Sequence, residues 1–427
     1  MKIGTPKETK DNENRVGLTP QGAAALRAAG HDIVIERGAG LGCGFADADY
    51  VASGAMLGTA DDAWRQELVV KVKEPLESEY RQLRGKLVFT YFHLAGAPPA
   101  LTSALLESGT TAIAYETVED ASGRLPLLAP MSAIAGSMAP LMGAYYLAKF
   151  AGGRGTLLGT VLGAGQGDVV IVGDGVVGRH ACDVASSLGA RVTVFGVTPQ
   201  RAAEFERKPN VRYALSTPDT IAARLREADL VVGAVLRAGA RAPHVVTEAM
   251  VAAMPQGSVA VDVSIDQGGC IATSRPTSHS APVFVAHGVT HYCVTNMPGA
   301  YPRTATLALT AATLPYVLKL ADGGFAVVAA DPGFAKGVNT HAGRIRYRAV
   351  ADALRLEGLY DPCDRCCAIV RVILRPSAGI DRSRWNRASY VFSVARLGHC
   401  CAPGLDYKGI HHSEPEMPWP RSNVFSS

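Results

Sequence analysis

The chain has 427 residues, 48% of them hydrophobic and only 7% aromatic, with 45 glycines, which leaves room for two or three buried cores and suits an α/β protein. Its formal charge of +4 resides between Pro362 and Ser427, where nine Lys and Arg face five Asp and Glu, while the remaining residues hold 33 of each sign. A neutral body excludes a basic field for nucleic acid, and the lack of a run of about 18 apolar residues argues against a membrane span.

The opening Met1-Lys2-Ile3-Gly4-Thr5-Pro6-Lys7-Glu8 is charged from its start and has no apolar signal core, so a cytoplasmic location is expected. Lys2–Thr5 reads as a strand, and Thr19-Pro20 as the cap and first position of a helix that Gly30 stops. His31–Glu36 is a second strand. Leu68–Val72, Leu87–Phe92 and Thr111–Tyr115 are short apolar runs of the kind buried in a parallel sheet, which implies βαβ units. A helix is expected from about Ser132 to Lys149, with small residues that permit close packing. The following Gly163-Ala164-Gly165-Gln166-Gly167 leads into a strand and not a helix N-terminus, so it reads as a connecting loop and not a phosphate cradle.

A second αβ series begins at Asp168, with strands at Val169–Val172, Arg191–Phe195, Leu230–Val232 and Val259–Val263. The helix expected over Thr304–Leu320 returns to the first domain. The expected fold is α/β, two Rossmann-like doubly wound domains with the active site in the cleft between them. Residues 1–130 and 304–361 form a discontinuous substrate domain, 131–303 a dinucleotide-binding domain, and 362–427 an atypical, poorly ordered tail. Cys43, Cys182, Cys270 and Cys293 are scattered through the body, as reduced thiols are. Five more cysteines lie in the tail, where Cys363-x-x-Cys366-Cys367, His399-Cys400-Cys401 and His411-His412 can be written as zinc spacing. No half-motif repeats there, and no metal site is expected.

The cofactor signal is Asp168-Val169-Val170-Ile171-Val172 running into Gly173-Asp174-Gly175-Val176-Val177-Gly178. This is G-x-G-x-x-G after a strand and before a helix. Gly173 permits the tight turn, Gly175 lets a pyrophosphate approach the backbone, and Gly178 lets helix and strand pack closely. The next strand ends at Gly196, where an NAD enzyme usually carries an acid for the ribose 2′-hydroxyl. Thr198 and Arg201 follow, and a guanidinium there could hold a 2′-phosphate, so the expected cofactor is NAD, with NADP kept open.

Several blocks together resemble the alanine dehydrogenase family. They are Gly4-Thr5-Pro6-Lys7-Glu8-Thr9-Lys10 through Glu13-Asn14-Arg15-Val16, Val70-Lys71-Val72-Lys73-Glu74-Pro75, Phe89-Thr90-Tyr91-Phe92-His93-Leu94, Ala114-Tyr115-Glu116-Thr117, Leu127-Leu128-Ala129-Pro130-Met131-Ser132, Val261-Asp262-Val263-Ser264-Ile265-Asp266-Gln267-Gly268-Gly269, Ser274-Arg275-Pro276-Thr277 and Tyr292-Cys293-Val294-Thr295-Asn296-Met297-Pro298. They are collinear over about residues 1–360. The resemblance implies NAD(P)-dependent oxidative deamination of L-alanine to pyruvate and ammonium by a homohexamer. It assigns Arg15 and Lys73 to the substrate, His93 and Asp266 to acid–base catalysis, and Met131, Ser132, Val235, Leu236, Ile265, Arg275, Asn296 and Met297 to the cofactor, beside Gly173, Gly175, Val176, Val177, Gly178, Gly196 and Arg201. An imidazole titrates near neutral pH and can both take and return a proton. Taken singly, Arg15 is a surface charge, Lys73 a solvated strand end, His93 a core histidine and Asp266 a turn residue; their joint occurrence carries the reading. Gly196, Ala214 and Ala133 depart from the family pattern, as does the tail. The alternatives are the NAD(H)-binding portion of a proton-translocating transhydrogenase, which should lack the substrate set, and a regulatory nucleotide-binding protein without turnover.

Overall fold

In a computed structural model of the chain, residues 1–237 and 241–362 are described. The expectations for the tail from Cys363 onward, its order and its zinc-like spacing, lie outside those residues.

Fifteen strands among the described residues form two sheets. They are β1 (Lys2–Thr5), β2 (Asp32–Glu36), β3 (Met56–Gly58), β4 (Leu68–Val70), β5 (Leu87–Thr90), β6 (Thr111–Ala114), β7 (Asp168–Val172), β8 (Arg191–Gly196), β9 (Val211–Leu215), β10 (Leu230–Gly233), β11 (Val259–Asp262), β12 (Val283–Ala286), β13 (Val289–Tyr292), β14 (Val338–His341) and β15 (Arg344–Ile345). One sheet runs β3-β2-β1-β4-β5-β6 in parallel and is extended by antiparallel β14 and β15. The other runs β9-β8-β7-β10-β11-β13 in parallel and ends on antiparallel β12. Both therefore follow the doubly wound order in which the chain reverses direction beside the first strand, and ligands bind beyond the strand ends at that reversal. β4, β6, β7, β10 and β11 are buried along their whole length, as continuous apolar runs with helices on both faces must be.

Thr19 caps the first helix, its hydroxyl accepting the Gly22 amide at 3.1 Å with Pro20 in the first turn. The long helix starts at Ala129, three residues earlier than expected, because Pro130 fits the first turn where no amide is needed, and it ends at Leu147. Met131 and Ser132 are thereby lifted onto the helix entrance. The same helix joins the two cores: Met131 packs into the first, and Ala135, Met138, Ala139 and Leu147 into the second. A Cβ on its Gly136 would lie 2.4 Å from the Val177 carbonyl, so glycine sets how closely it approaches the cofactor-loop helix, Val176–Ser187. The returning helix spans Pro302–Ala330 and is interrupted at Gly324, whose φ of 59° and ψ of −153° are not helical. It is long and apolar enough to cross a membrane by length and composition, yet Ala305, Leu309, Val317, Leu320 and Val328 are buried in the first core.

Candidate active site

Both chain reversals face one cavity of about 590 Å³, lined among others by Arg15, Lys73, His93, Met131, Ser132, Gly175, Val176, Val177, Val235, Leu236, Asp266 and Asn296. Lys73 and His93 each lie three residues beyond a strand end, after β4 and β5 of the first sheet. Asp266 lies on a 3-10 turn, Val263–Gln267, that begins where β11 of the second sheet stops.

Arg15 is 2% exposed and is fixed from three sides. Its Nε and Nη2 donate to the two carboxylate oxygens of Glu13 at 2.7 and 2.5 Å, Nη2 also donates to Asn296 Oδ1, and Nη1 lies 3.0 Å from Met131 Sδ. Burial alone would raise the Glu13 carboxyl, but the hydrogen bonds and charge of Arg15, with Asn296 donating at 2.7 Å, outweigh it and hold the group at about 2. Glu13 was visible in the Glu13-Asn14-Arg15 block, but its pairing was not.

Two lysines two residues apart take opposite parts. Lys71 is fully buried between Glu8 at 3.2 Å and Glu79 at 3.0 Å, a closed structural triad. Lys73 is 5% exposed, lines the cavity, and its ammonium has no hydrogen-bond or ion-pair partner among the described residues. Its charge acts on the neighbouring buried Glu74 carboxylate, which pairs directly with Lys10 at 2.6 Å, so among the described residues direct contact with the ammonium is left for a ligand anion.

His93 has a φ of 47°, a left-handed conformation that costs a non-glycine residue about 1–2 kcal/mol. Its amide donates to Glu116 Oε1 at 2.6 Å, and its ring stacks on Tyr91 with centroids 5.6 Å apart. Neither ring nitrogen is hydrogen-bonded among the described residues, which leaves both for a ligand. The Asp266 turn is held by Asp262, which is fully buried and accepts the amides of Ser264, Cys270 and Ile271 at 3.1, 2.9 and 3.0 Å. Burial raises the Asp262 carboxyl despite those bonds. Glu116 and Asp262 are positioning groups that sequence reasoning did not assign.

The glycine loop fits a dinucleotide pyrophosphate. A Cβ on Gly173 would lie 2.3 Å from the Ala234 carbonyl and one on Gly178 1.9 Å from the Gly173 carbonyl, whereas one on Gly175 meets nothing within 4 Å. The loop is thus packed where it turns and open where phosphate approaches. The helix behind it has no side-chain cap and no acid in its first turn, leaving its amides and dipole for an anion.

Other predicted residues lie elsewhere. Ile265 is buried and lines a smaller cavity of about 190 Å³ that shares His93 and Asp266 with the main one. Met297 is buried in the second core. Arg275 lies over the Phe284 ring at 4.2 Å and is not in the cavity lining. Arg201 pairs with Asp174 at 3.1 Å, so it is not the uncommitted phosphate binder that the sequence allowed. Gly196 ends β8 against Tyr213 and Asp174.

Residues 4–135 match the family described as alanine dehydrogenase/PNT, N-terminal domain, and residues 139–348 its C-terminal domain. The alanine dehydrogenase of Mycolicibacterium smegmatis is 50% identical over 364 residues, covering 83% of this chain and 97% of that one. The alanine dehydrogenase of Halomonas elongata is 50% identical over 364 residues, with 84% and 98% covered. A solved L-alanine dehydrogenase superposes with a TM-score of 0.78 at 49% identity, over 83% of this chain and 99% of that one. A transhydrogenase from Sinorhizobium meliloti follows the same fold at 25% identity, with a TM-score of 0.69 over 81% of this chain and 100% of that one. Two matched domains across most of the described residues place this chain in the alanine dehydrogenase/PNT family.

Proposed function

We infer that the chain is an enzyme catalysing reversible oxidative deamination of L-alanine to pyruvate and ammonium with a pyridine nucleotide. The observation that carries this reading is that Arg15, Lys73, His93 and Asp266 share one cavity with the open face of the glycine loop. The relatives' activity at about half identity across nearly their whole length supports it over the transhydrogenase alternative.

The roles follow from the surroundings of each group. Lys73 binds the substrate carboxylate, and Arg15, already neutralised by Glu13, shapes that end of the site and has one Nη1 hydrogen left to donate. His93 takes a proton from the amine or carbinolamine and returns it in the reverse direction. Asp266 orients the water or ammonia that attacks the carbon. When bound, the nicotinamide accepts the substrate's α-hydrogen as hydride. Met131, Ser132, Val235, Leu236 and Asn296 line its pocket, and Gly175 with the amides of the helix behind it receives the pyrophosphate. NAD is the cofactor proposed. Residues 1–130 with 304–361 act as the substrate domain and 131–303 as the cofactor domain, in a cytoplasmic homohexamer.

Absorbance of the reduced nicotinamide, followed with pyruvate and ammonium, tests the reading. Ammonium-dependent oxidation of NADH, faster than that of NADPH, is the expected result. Folded protein that binds NADH yet oxidises none would overturn it.

A further inference from the structure

The carboxylate missing from Gly196 is present at the same place from another strand. A Cβ added to Gly196 would lie 2.1 Å from the Tyr213 hydroxyl and 2.4 Å from Asp174 Oδ2, so no side chain fits at the end of β8. Asp174, the second residue of Gly173-Asp174-Gly175, occupies the position where such a side chain would begin. Its carboxylate is fixed there by the Tyr213 hydroxyl at 2.9 Å and by Arg201 Nη1 at 3.1 Å. Tyr213 comes from β9 and also lies 2.9 Å from the Thr198 carbonyl, and Arg201 is drawn as well toward Glu204 at 3.7 Å and rests over the Phe205 ring. The group is therefore positioned, with its side chain partly open to solvent beside the unobstructed Gly175.

We propose that Asp174 selects the cofactor: its carboxylate, carried on the glycine loop and not on β8, accepts the adenosine-ribose hydroxyls and excludes a 2′-phosphate. This rests on the dehydrogenase reading only in requiring a pyridine nucleotide. A carboxylate at that point accepts two neutral hydroxyls but meets a phosphate with like charge. Arg201, the cation that pairs with Asp174, is engaged with both Asp174 and Glu204, and the neighbouring Arg179 is engaged with Glu204. The absence of an acid at position 196 is thus no sign of NADP use. The acid is carried on the loop after β7 in place of the end of the adjacent β8.

Calorimetric titration of the full chain with ADP-ribose and 2′-phospho-ADP-ribose reads the adenosine end without any hydride transfer. The wild-type chain binds ADP-ribose the more tightly. D174N keeps the size and the Tyr213 contact but removes the charge; it weakens ADP-ribose about tenfold and tightens the 2′-phosphorylated ligand by about as much, the size expected of one charged hydrogen bond. Adding R201A to D174N abolishes the second gain, because the released guanidinium supplies it. A folded D174N whose ligand ratio moves by less than about tenfold overturns the proposal, as does a wild-type chain preferring the phosphorylated ligand, a result that requires no variant to fold. A chain that passes this test but turns over no pyruvate leaves Asp174 assigned and removes the dehydrogenase reading. Turnover with an unmoved ratio does the reverse.

Discussion

The Glu13–Arg15 pair shows how a substrate site can be bound up with stability. Both groups are buried, so each is tolerable only because of the other. E13Q leaves the guanidinium buried without its anion and is expected to cost about 3–5 kcal/mol at pH 7 in urea unfolding. The carboxyl is held at about 2 against an ordinary 4.5, a depressed acid, so its stabilisation is complete above about pH 4.5 and is lost as pH falls toward 2. The gap between wild type and E13Q should accordingly close over that window. For His93 the expectation is kinetic. H93A should lower kcat by about 10²–10⁴, the usual share of a positioned acid–base group, while calorimetric NADH binding changes little. Equal losses in both would assign His93 to binding instead.

Glycines of one loop separate folding from binding at the scale of the element. Gly175 has a φ of −71°, which alanine adopts freely, and its Cβ would meet nothing within 4 Å. G175A should melt with the wild type yet bind NADH at least about tenfold more weakly, since the methyl projects where the pyrophosphate approaches. G178A, whose Cβ would collide with the Gly173 carbonyl at 1.9 Å, should lower the melting temperature itself. This loop was legible because its glycines, strand and helix are contiguous, and so were the central strands, whose unbroken apolar runs announce burial on both faces. The half-exposed edge strands β9 and β12 were not, since a short run at a sheet edge has little apolar signal. β14 was hidden for another reason: its partner β6 lies on the far side of the second sheet in sequence. Among site residues, the resemblance singled out Lys73 and His93, but the physical reason that Lys73 and not Lys71 is available was not legible, because only the fold closes carboxylates around Lys71. The replacement of an acid at 196 by one at 174 was equally invisible, since nothing local says that two strand ends meet.

Across the molecule, Asn296 is one of the contacts that join the halves. It follows the last parallel strand of the second sheet, has a φ of 70°, and bonds both Glu13 and Arg15 of the first half. Asn12 and Asp11 add a further link through Ser280. A group touching both walls of a cleft transmits occupancy of one wall to the other. Pyruvate should therefore tighten NADH binding in the wild type when ammonium is left out, and N296A should reduce that mutual effect by about fivefold or more in paired calorimetric titrations. An unchanged coupling would confine Asn296 to holding Arg15.

The returning strand β14 also has a consequence during synthesis. Ile113 of β6 pairs with Val338, and Ala112 with Thr340, so the open edge of the first sheet waits on the ribosome until the whole second half has emerged. In that interval Thr111–Ala114 is an apolar strand with an unpaired side, the kind of edge that captures other chains. The second sheet draws all its strands from one uninterrupted stretch and can close as soon as it is made. The nascent chain is therefore expected to complete its later half first, and its earlier half is the one that needs shelter from aggregation.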